Sequence, residues 1–575
     1  MYVVFVPNRS EYRGIYLRES YREGNKIRKK TIANISSWEL NKIAALQLVL
    51  KGETRIGTSS FKIIRSLPHG AVAAVLSTMK RIGLSALLSV VPIGKRNLIQ
   101  ALIADRIISH QSKLATAREL DPGTQTNTLY QELNLEKVTP YDLYAAMDTL
   151  IDKKPVIEKS LGKKHLTDRC LLLYDLTSVY FEGTKCPLAL RGHSKDKKKG
   201  VPQIMVGLLT NKDGIPVSTE VFAGNTLDHQ TLVSQIEKAK NKFGMTRLII
   251  VGDRGTIITK RIEEDLKHIE GLSYITALKS AEINELVKTG SLQLSLFDDL
   301  DLAEIESPLY AQERLICCRN PFLAREREEK REELLKATEK ELEKIRVATK
   351  RQKRALKGEA KIGLRVGKIL NKYKMGKHFN LTIKKNEFSY QQNEQSIQQE
   401  KLLDGIYIIR TSVVKEEVTA SEAVAIYKGL SRVEKAFRCM KTTDLKIRPV
   451  YHYLTDRVKA HVFLCMLAYY VEWHMRKALA PLLFEDEDKE EASLQRESVV
   501  AKAVRSDRAK NKAQTKMTED GFPVHSFQSL LADLSTLTRN TIQPLERDSL
   551  TFDQITEPTP LQKKALELLE ISGNL

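Results

Sequence analysis

The sequence predicts an α/β protein, with a mixed sheet and helices, interrupted by a large α+β insertion and preceded by a β module and a helical module. Three observations carry this. Residues 171–181, 203–210 and 215–222 are β-rich runs, after which helical and strand patterns alternate to Leu278. The alternation stops near residue 280 and resumes at Gly405. Ahead of residue 165 the pattern is β-rich first and helical afterwards.

In chain order, residues 1–65 read as a small basic β module. Residues 2–6, 14–18 and 25–32 are β-rich, and the first 35 positions hold eight Lys/Arg against three Glu. A basic sheet and a solvated edge hairpin fit this equally. Residues 66–164 are helical, with apolar spacing in 71–76 and 97–104 and a turn at Pro122-Gly123. They suit a DNA-reading domain or a plain packing module. Residues 165–280 form the first part of the core. Asp213-Gly214 suits the hairpin between its second and third strands. A helix over 228–243, a short buried strand over 247–251, a helix over 259–268 and a strand over 273–278 follow.

Residues 281–404 form the insertion, whose centre predicts one long helix over 323–358. Its charge is polarised. Residues 325–343 hold six basic and eight acidic side chains, whereas 344–377 hold thirteen basic and one acidic, a net +12. Strands over 379–383 and 388–390 come next. Residues 405–485 complete the core, with a strand at 405–410, a helix over 421–440 and a second over 455–479, apolar mostly on one side. Residues 486–575 read as a polar linker, led in by the acidic run 484–491, and two short amphipathic helices that could serve dimerisation.

The chain has 575 residues, about four domains' worth at roughly 150 residues each. It is 42% hydrophobic and 29% charged, which excludes disorder for most of its length. Lys and Arg number 93 against 72 Asp and Glu, a net charge of +21 that points to a polyanion, nucleic acid or anionic membrane. The most apolar late run, 461–471, is closed by Glu472 and is short of the about 20 residues a span needs. The N-terminal residues lack the pattern of a signal peptide. Six cysteines, with Cys317 and Cys318 adjacent and no C-x-x-C pair, argue against a disulfide framework and a structural zinc site. The expectation is a cytosolic protein that meets nucleic acid.

Three acidic residues occupy unusual places. Asp175 lies inside an apolar strand, Asp253 follows a buried strand, and Glu434 sits on a helix. A carboxylate in an apolar strand is costly unless paired or bound to a cation. Converging carboxylates make a hard-oxygen site suited to Mg²⁺, and two such ions serve phosphodiester chemistry. Taken singly, each has a plainer role. Asp253 suits a turn cap, and Glu434 suits a solvated ion pair with Arg432, Lys435 or Arg438.

Their order along the chain resembles the ribonuclease H-like core of DDE transposases of bacterial insertion sequences. Asp175-Leu176-Thr177-Ser178-Val179-Tyr180-Phe181-Glu182-Gly183 looks like the region of the first Asp, and Val251-Gly252-Asp253-Arg254-Gly255 like the second. The third match is the signature Tyr-x2-Arg-x3-Glu-x6-Lys of the insertion-sequence-four group. Tyr427 stands seven residues before Glu434 and Lys441 seven after it. The Arg position holds Leu430, and Arg432 lies about 200° round the helix from it. Residues 192–196, 203–209, 220–226, 404–407 and 448–452 are also similar to this group, so the resemblance covers about 165–480.

The resemblance implies that Asp175, Asp253 and Glu434 hold two Mg²⁺ or Mn²⁺ ions. It implies cleavage at transposon ends and strand transfer into target DNA, by a homodimer in a synaptic complex in the bacterial cytoplasm, associated with the nucleoid. Tyr427 and Lys441 would contact phosphates near the cleaved end. Arg254 would orient Asp253 or touch DNA. His193 and Lys195 would line the DNA path or belong to a solvated loop. Lys350, Arg351, Lys353, Arg354 and Lys357, in the basic half of the insertion, are a DNA surface. Relatives that form hairpins use a Trp on a flipped base. The tryptophans here are Trp38 and Trp473, and position 431 is Ser, so that role does not carry over. A ribonuclease H-like nuclease or resolvase, or a DNA-binding regulator descended from a transposase, are the alternatives.

Overall fold

The computed structural model describes residues 1–7, 14–52, 61–167, 169–196, 198, 200–292, 297, 301–494, 496, 498–501, 503–544 and 550–571. Its strands in chain order are β1 Tyr2–Val6, β2 Gly14–Glu23, β3 Lys26–Asn34, β4 Phe61–Pro68, β5 Cys170–Tyr180, β6 Gln203–Asn211, β7 Pro216–Ala223 and β8 Leu248–Val251. There follow β9 Leu272–Ala277, β10 Leu302–Ile305, β11 Arg314–Arg319, β12 Phe379–Lys384, β13 Glu387–Gln392, β14 Ile406–Thr411, β15 Thr538–Pro544 and β16 Phe552–Ile555. By packing, the chain divides into two units. One comprises residues 1–74, 119–134 and 529–575, and the other 75–118 and 135–528.

In the first unit, β1, β2 and β3 form an antiparallel sheet with a small core of Ile15, Ile35 and Ile43. The basic strand β3 is its edge and is exposed along nearly its whole length. A second antiparallel sheet pairs β4 with β15 and β15 with β16. Residues 486–575 therefore hold two strands besides the helices Phe527–Leu534 and Pro560–Leu568. The strands are unreadable locally because β15 (TRNTIQP) is half-buried at every position and shows no alternation.

The second unit is built on an eight-stranded sheet in the order β10-β11-β14-β9-β8-β5-β6-β7. β5, β6 and β7 form an antiparallel meander. β8 runs parallel to β5, and β9 parallel to β8. β14, β11 and β10 extend the sheet antiparallel beyond β9. Its main core lies where Leu172, Tyr174, Leu176, Val217, Ile236 and Ile250 pack together. Against β7 packs the helix Thr455–Leu479, which also contacts the helices Pro140–His165 and Ile93–Ile108. That helix is buried all round from His461 to Glu472, rather than on one side.

Residues 281–404 do not simply interrupt this sheet, because β10 and β11 belong to it. Leu315, Ile316, Cys317 and Cys318 are fully buried, so β11 carries no period-two signal. The insertion proper begins at Asn320 and returns at Gly405, where the Asn320 amide donates to the Gly405 carbonyl at 3.0 Å. It has its own core of Leu335, Leu342, Ile345, Ile362, Val366, Phe379 and Phe388. The single long helix expected there is two. Pro321–Thr349 ends in a turn, and Glu359–Tyr373 returns against it. Arg354 and Gly358 adopt positive φ within the turn (55° and 95°), which no helix accommodates.

Three other expected helices are also broken, the one over 259–268 into α (Thr259–Glu264) and 3₁₀ (Leu266–His268) segments. Residues 228–243 run as 3₁₀ (Asp228–Gln230), α (Leu232–Glu237) and π (Lys238–Lys242) segments. Residues 421–440 break at Gly429 into Ala420–Lys428 and Leu430–Arg438, followed by a π turn over Cys439–Thr443. The acidic run near 484–491 is packed rather than a free linker: Glu485 pairs with Arg476 and Lys435, and Glu487 with Lys512. Residues 495, 497 and 502 of the polar stretch lie outside the described residues. No helix among the described residues is long and apolar enough to cross a membrane.

Candidate active site

The central strands set the first two carboxylates side by side. β5 and β8 run parallel with Leu173 opposite Val251, and Asp175 and Asp253 each follow two residues later. Both therefore fall at the C-terminal end of β8, where a parallel sheet opens. Asp175 lies between Tyr174 and Leu176, both fully buried, and its own side chain is 18% exposed. Burial pushes its carboxyl up to about 7. Asp253 and Asp228 add to the rise, and Lys195 opposes it. Asp253 does cap a turn: its Oδ1 accepts the amides of Gly255 at 3.0 Å and Thr256 at 2.8 Å. The same bonds aim the carboxylate and leave Oδ2 without a protein donor among the described residues.

The helix Leu430–Arg438 lies over β5 and β6 and carries Glu434. The ion pairs that its basic neighbours offer do not form. Arg432 donates to the Lys212 carbonyl in the β6–β7 turn, and Lys435 pairs with Glu485 at 3.1 Å. Glu434 is exposed and has no ion pair among the described residues. Tyr427, half-buried at the end of the preceding helix, joins the three groups. Burial pushes its phenol up to about 12, and Asp253, Glu434 and Asp175 all act on it in the same direction, with Arg254 opposing.

A fourth carboxylate, Asp228, escapes the sequence reading. It looks like a helix-start residue, two positions beyond the segment that resembles the family. Lys195 brings it to the site, with Nζ 2.9 Å from Asp228 Oδ2, 4.0 Å from Asp175 Oδ1 and 2.7 Å from the Leu176 carbonyl. Lys195 thus faces the carboxylates. His193 and Arg254 are exposed, one on the same loop and one beside Asp253. Asp175 and Asp253 beside each other, with Glu434 on the helix that lies over β5, offer the hard oxygen donors that suit Mg²⁺ or Mn²⁺.

Lys441 reaches the same strand one step further along. Its Nζ donates to Thr177 Oγ1 at 3.1 Å and to the Ser178 carbonyl at 2.7 Å, and it pairs with Asp196. Thr177 shares a strand face with Asp175, about 7 Å away. Arg448 also reaches Asp196 (3.7 Å) and lies 4.0 Å over the Tyr180 ring. Asp196 and Arg448 fall in the family-like segments 192–196 and 448–452, but that the two meet each other and Lys441 is not written locally, since the partners come from distant segments.

Below the Glu434 helix lies a buried clamp. Cys439, Asp444 and Glu472 bring ligand atoms within 4.8 Å of one another, which no three of the site carboxylates do. A guanidinium already serves this group. Arg476 contacts Glu472 at 2.6 Å, Asp444 at 2.8 Å and Glu485 at 2.9 Å, and Cys439 Sγ donates to Glu472 at 3.1 Å. The clamp ties the helix Thr455–Leu479 to the turn that follows the Glu434 helix and, through Glu485, to Lys435 within it.

In the insertion, Lys350, Arg351, Lys353, Arg354 and Lys357 occupy the turn between the two helices, not a helical face. All five are exposed and have no ion pair among the described residues. Lys344 and Arg346 before them are matched by Glu341 and Glu343.

Residues 166–471, more than half of the chain, match the family described as transposase DDE domain. Residues 4–60 match the N-terminal domain of IS1634 family transposases. No curated protein matches. Among solved structures, a piggyBac transposase synaptic complex with hairpin DNA is similar at 10% identity and a TM-score of 0.34, over 76% of this chain and 70% of that one.

Proposed function

Because the chain belongs to the DDE transposase family, and so is an insertion-sequence DNA transposase that cleaves DNA and transfers strands, we propose that Asp175, Asp253 and Glu434 are its catalytic carboxylates. The register of Leu173 against Val251 carries the assignment, because it sets Asp175, midway along β5, level with Asp253, just past the end of the parallel strand β8. The order β7-β6-β5-β8-β9, three antiparallel strands and then two parallel ones, supports a ribonuclease H-like core. The family uses divalent metal ions. We assign two, Mg²⁺ or Mn²⁺, to these carboxylates. When bound, such ions make the attacking oxygen a better nucleophile and offset charge on the leaving one.

The protein's own groups then position the strand. Lys441 and Arg448, at the end of β5, offer cations to the phosphates beside the cleaved bond, in exchange for Asp196. Tyr427 presents a phenol that stays protonated, a hydrogen-bond donor to a phosphate oxygen. The five unpaired cations of the insertion turn grip the DNA flank without reading sequence. Two transposon ends must be held together, so we assign a homodimer acting on the nucleoid in the bacterial cytoplasm.

Asp175→Asn tests the site. Expected is loss of end cleavage by at least about a thousandfold, on the scale of one essential catalytic group, with binding of end DNA retained. Cleavage at the wild-type rate would remove Asp175 from the site.

A further inference from the structure

We propose that Lys195 is a built-in counter-ion of the catalytic centre, parked on Asp228 beside Asp175, and that divalent ions bind by displacing it. The inference rests on the assignment of Asp175 as a metal-holding carboxylate.

The loop that carries Lys195 is fixed at several points. Leu190 exchanges backbone hydrogen bonds with Gln203, at 3.1 and 2.9 Å. A Cβ at Gly192 would collide with the Gly224 carbonyl, and one at Gly224 with the carbonyls of Gln203 and Leu190, so both glycines are required for this approach. Gln203 Nε2 donates to the carbonyls of His193 (3.0 Å) and Gly224 (2.8 Å). The Lys195 amide donates to Ser178 Oγ at 2.8 Å. With its backbone held, the side chain turns inward to the Leu176 carbonyl, Asp228 and Asp175.

Charge explains why an ammonium belongs there. Asp175, Asp228 and Asp253 crowd a half-buried site, and without a cation they repel one another at the cost of desolvation. Asp228 and Asp253 flank Gly255, whose Cβ position is 3.9 Å from Asp228 Oδ2 and 3.4 Å from Asp253 Oδ1. One lysine offsets part of this charge. A lysine also suits a temporary occupant, being a point charge on a flexible stem with no fixed fork to satisfy. Its side chain is 30% exposed, so it has a way out. A divalent ion competes for the same oxygens with twice the charge. Asp228 then keeps the displaced ammonium close, and the site need never stand without a cation.

Mn²⁺ binding to the full-length protein without DNA, followed by the electron paramagnetic resonance of free Mn²⁺, tests this. Lys195→Met and Lys195→Gln should bind Mn²⁺ at least about tenfold tighter than wild type, the minimum for removing a unit charge about 4 Å away. Lys195→Arg should restore weak binding. Asp228→Asn should weaken binding clearly more in the wild-type background than in the Lys195→Met background, where only its own charge is lost. Equal or weaker binding by both neutral variants would overturn the counter-ion. Equal weakening by Asp228→Asn in both backgrounds would make Asp228 a direct ligand and overturn its parking role. Asp175→Asn separates the premise: if it leaves Mn²⁺ binding intact, the metal assignment itself fails. If it abolishes binding while the neutral Lys195 variants match wild type, only the counter-ion falls.

Discussion

Asp253 holds the amides of Gly255 and Thr256 with one carboxylate oxygen and leaves the other without a protein donor among the described residues. The structural and chemical roles of one residue can therefore be separated. Asp253→Asn keeps an Oδ1 acceptor, so its melting temperature should match wild type while end cleavage is lost. Asp253→Ala should lose cleavage and also about 1 kcal/mol of stability, the scale of a lost side-chain cap. If Asp253→Asn cleaves normally, the carboxylate serves the turn alone. The three catalytic candidates were legible because each sits where a carboxylate is locally out of place: an apolar strand, a strand end, a motif-bearing helix. Asp228 was not legible, and neither was the pairing of Asp196 with Arg448, although both lie in family-like segments. Asp228 passes for a helix start, and Asp196 and Arg448 acquire meaning only from Lys441 and Tyr180, brought to them by the fold.

Among the elements, the insertion turn differs most from its sequence reading. Lys350, Arg351, Lys353, Arg354 and Lys357 fell within the single helix expected over 323–358, yet all five line a turn. The physical reason is local. Beyond Thr349 the run of cations has little to bury until Leu356, whose amide returns to the Ala348 carbonyl at 2.9 Å and closes the turn. A protruding turn can enter a groove that the side of a helix cannot. Neutralising Lys350, Arg351, Lys353, Arg354 and Lys357 together should lower the slope of log binding constant against log salt by up to about 4.5, at about 0.9 per phosphate contact. The check is end-DNA binding between 50 and 200 mM salt, about the range over which such contacts show. An unchanged slope would place the DNA elsewhere. The Glu434 helix is the counterexample: its identity was readable from the Tyr427–Glu434–Lys441 spacing, although the break at Gly429 was not.

For the whole molecule, the second unit gathers histidines that the fold keeps neutral. Burial, then the cations nearby, lowers His452 to about 4, and burial does most of the same for His165 and His474, also to about 4. His461 is held well below its usual range by burial, then by Arg106, Lys113 and His452, while its bond to the Ile447 carbonyl opposes. The unfolded chain accepts these protons near pH 6.5, whereas the folded chain refuses them until near 4. Between those values the unfolded state binds more protons, so stability is fully present above pH 6.5 and falls as pH drops toward 4. The melting temperature should decline steeply over that window, and His461→Gln should flatten part of the decline. A profile level from 6.5 to 4 would show that the histidines are protonated in place. The sheet was legible from β5 through β9 because three consecutive β-rich runs are followed by strands that alternate with helices in sequence. β11, buried on both faces, the short β10 beside it, and β4 with β15, partners from distant parts of the chain, carry no local pattern to read.

The neck of the insertion has a consequence for how such a protein could have been assembled. Arg319 pairs with Ile406 across β11 and β14, and the next residues inward on each side are Asn320 and Gly405, the latter at φ 77°. Deleting everything between them would write Arg-Asn-Gly-Ile, and Asn-Gly is the dipeptide best suited to a two-residue hairpin. The sequence on either side of the insertion thus still spells the turn that an uninterrupted sheet would use. The inserted segment reads as a graft, set into a hairpin whose closing pair remains on both sides of the cut.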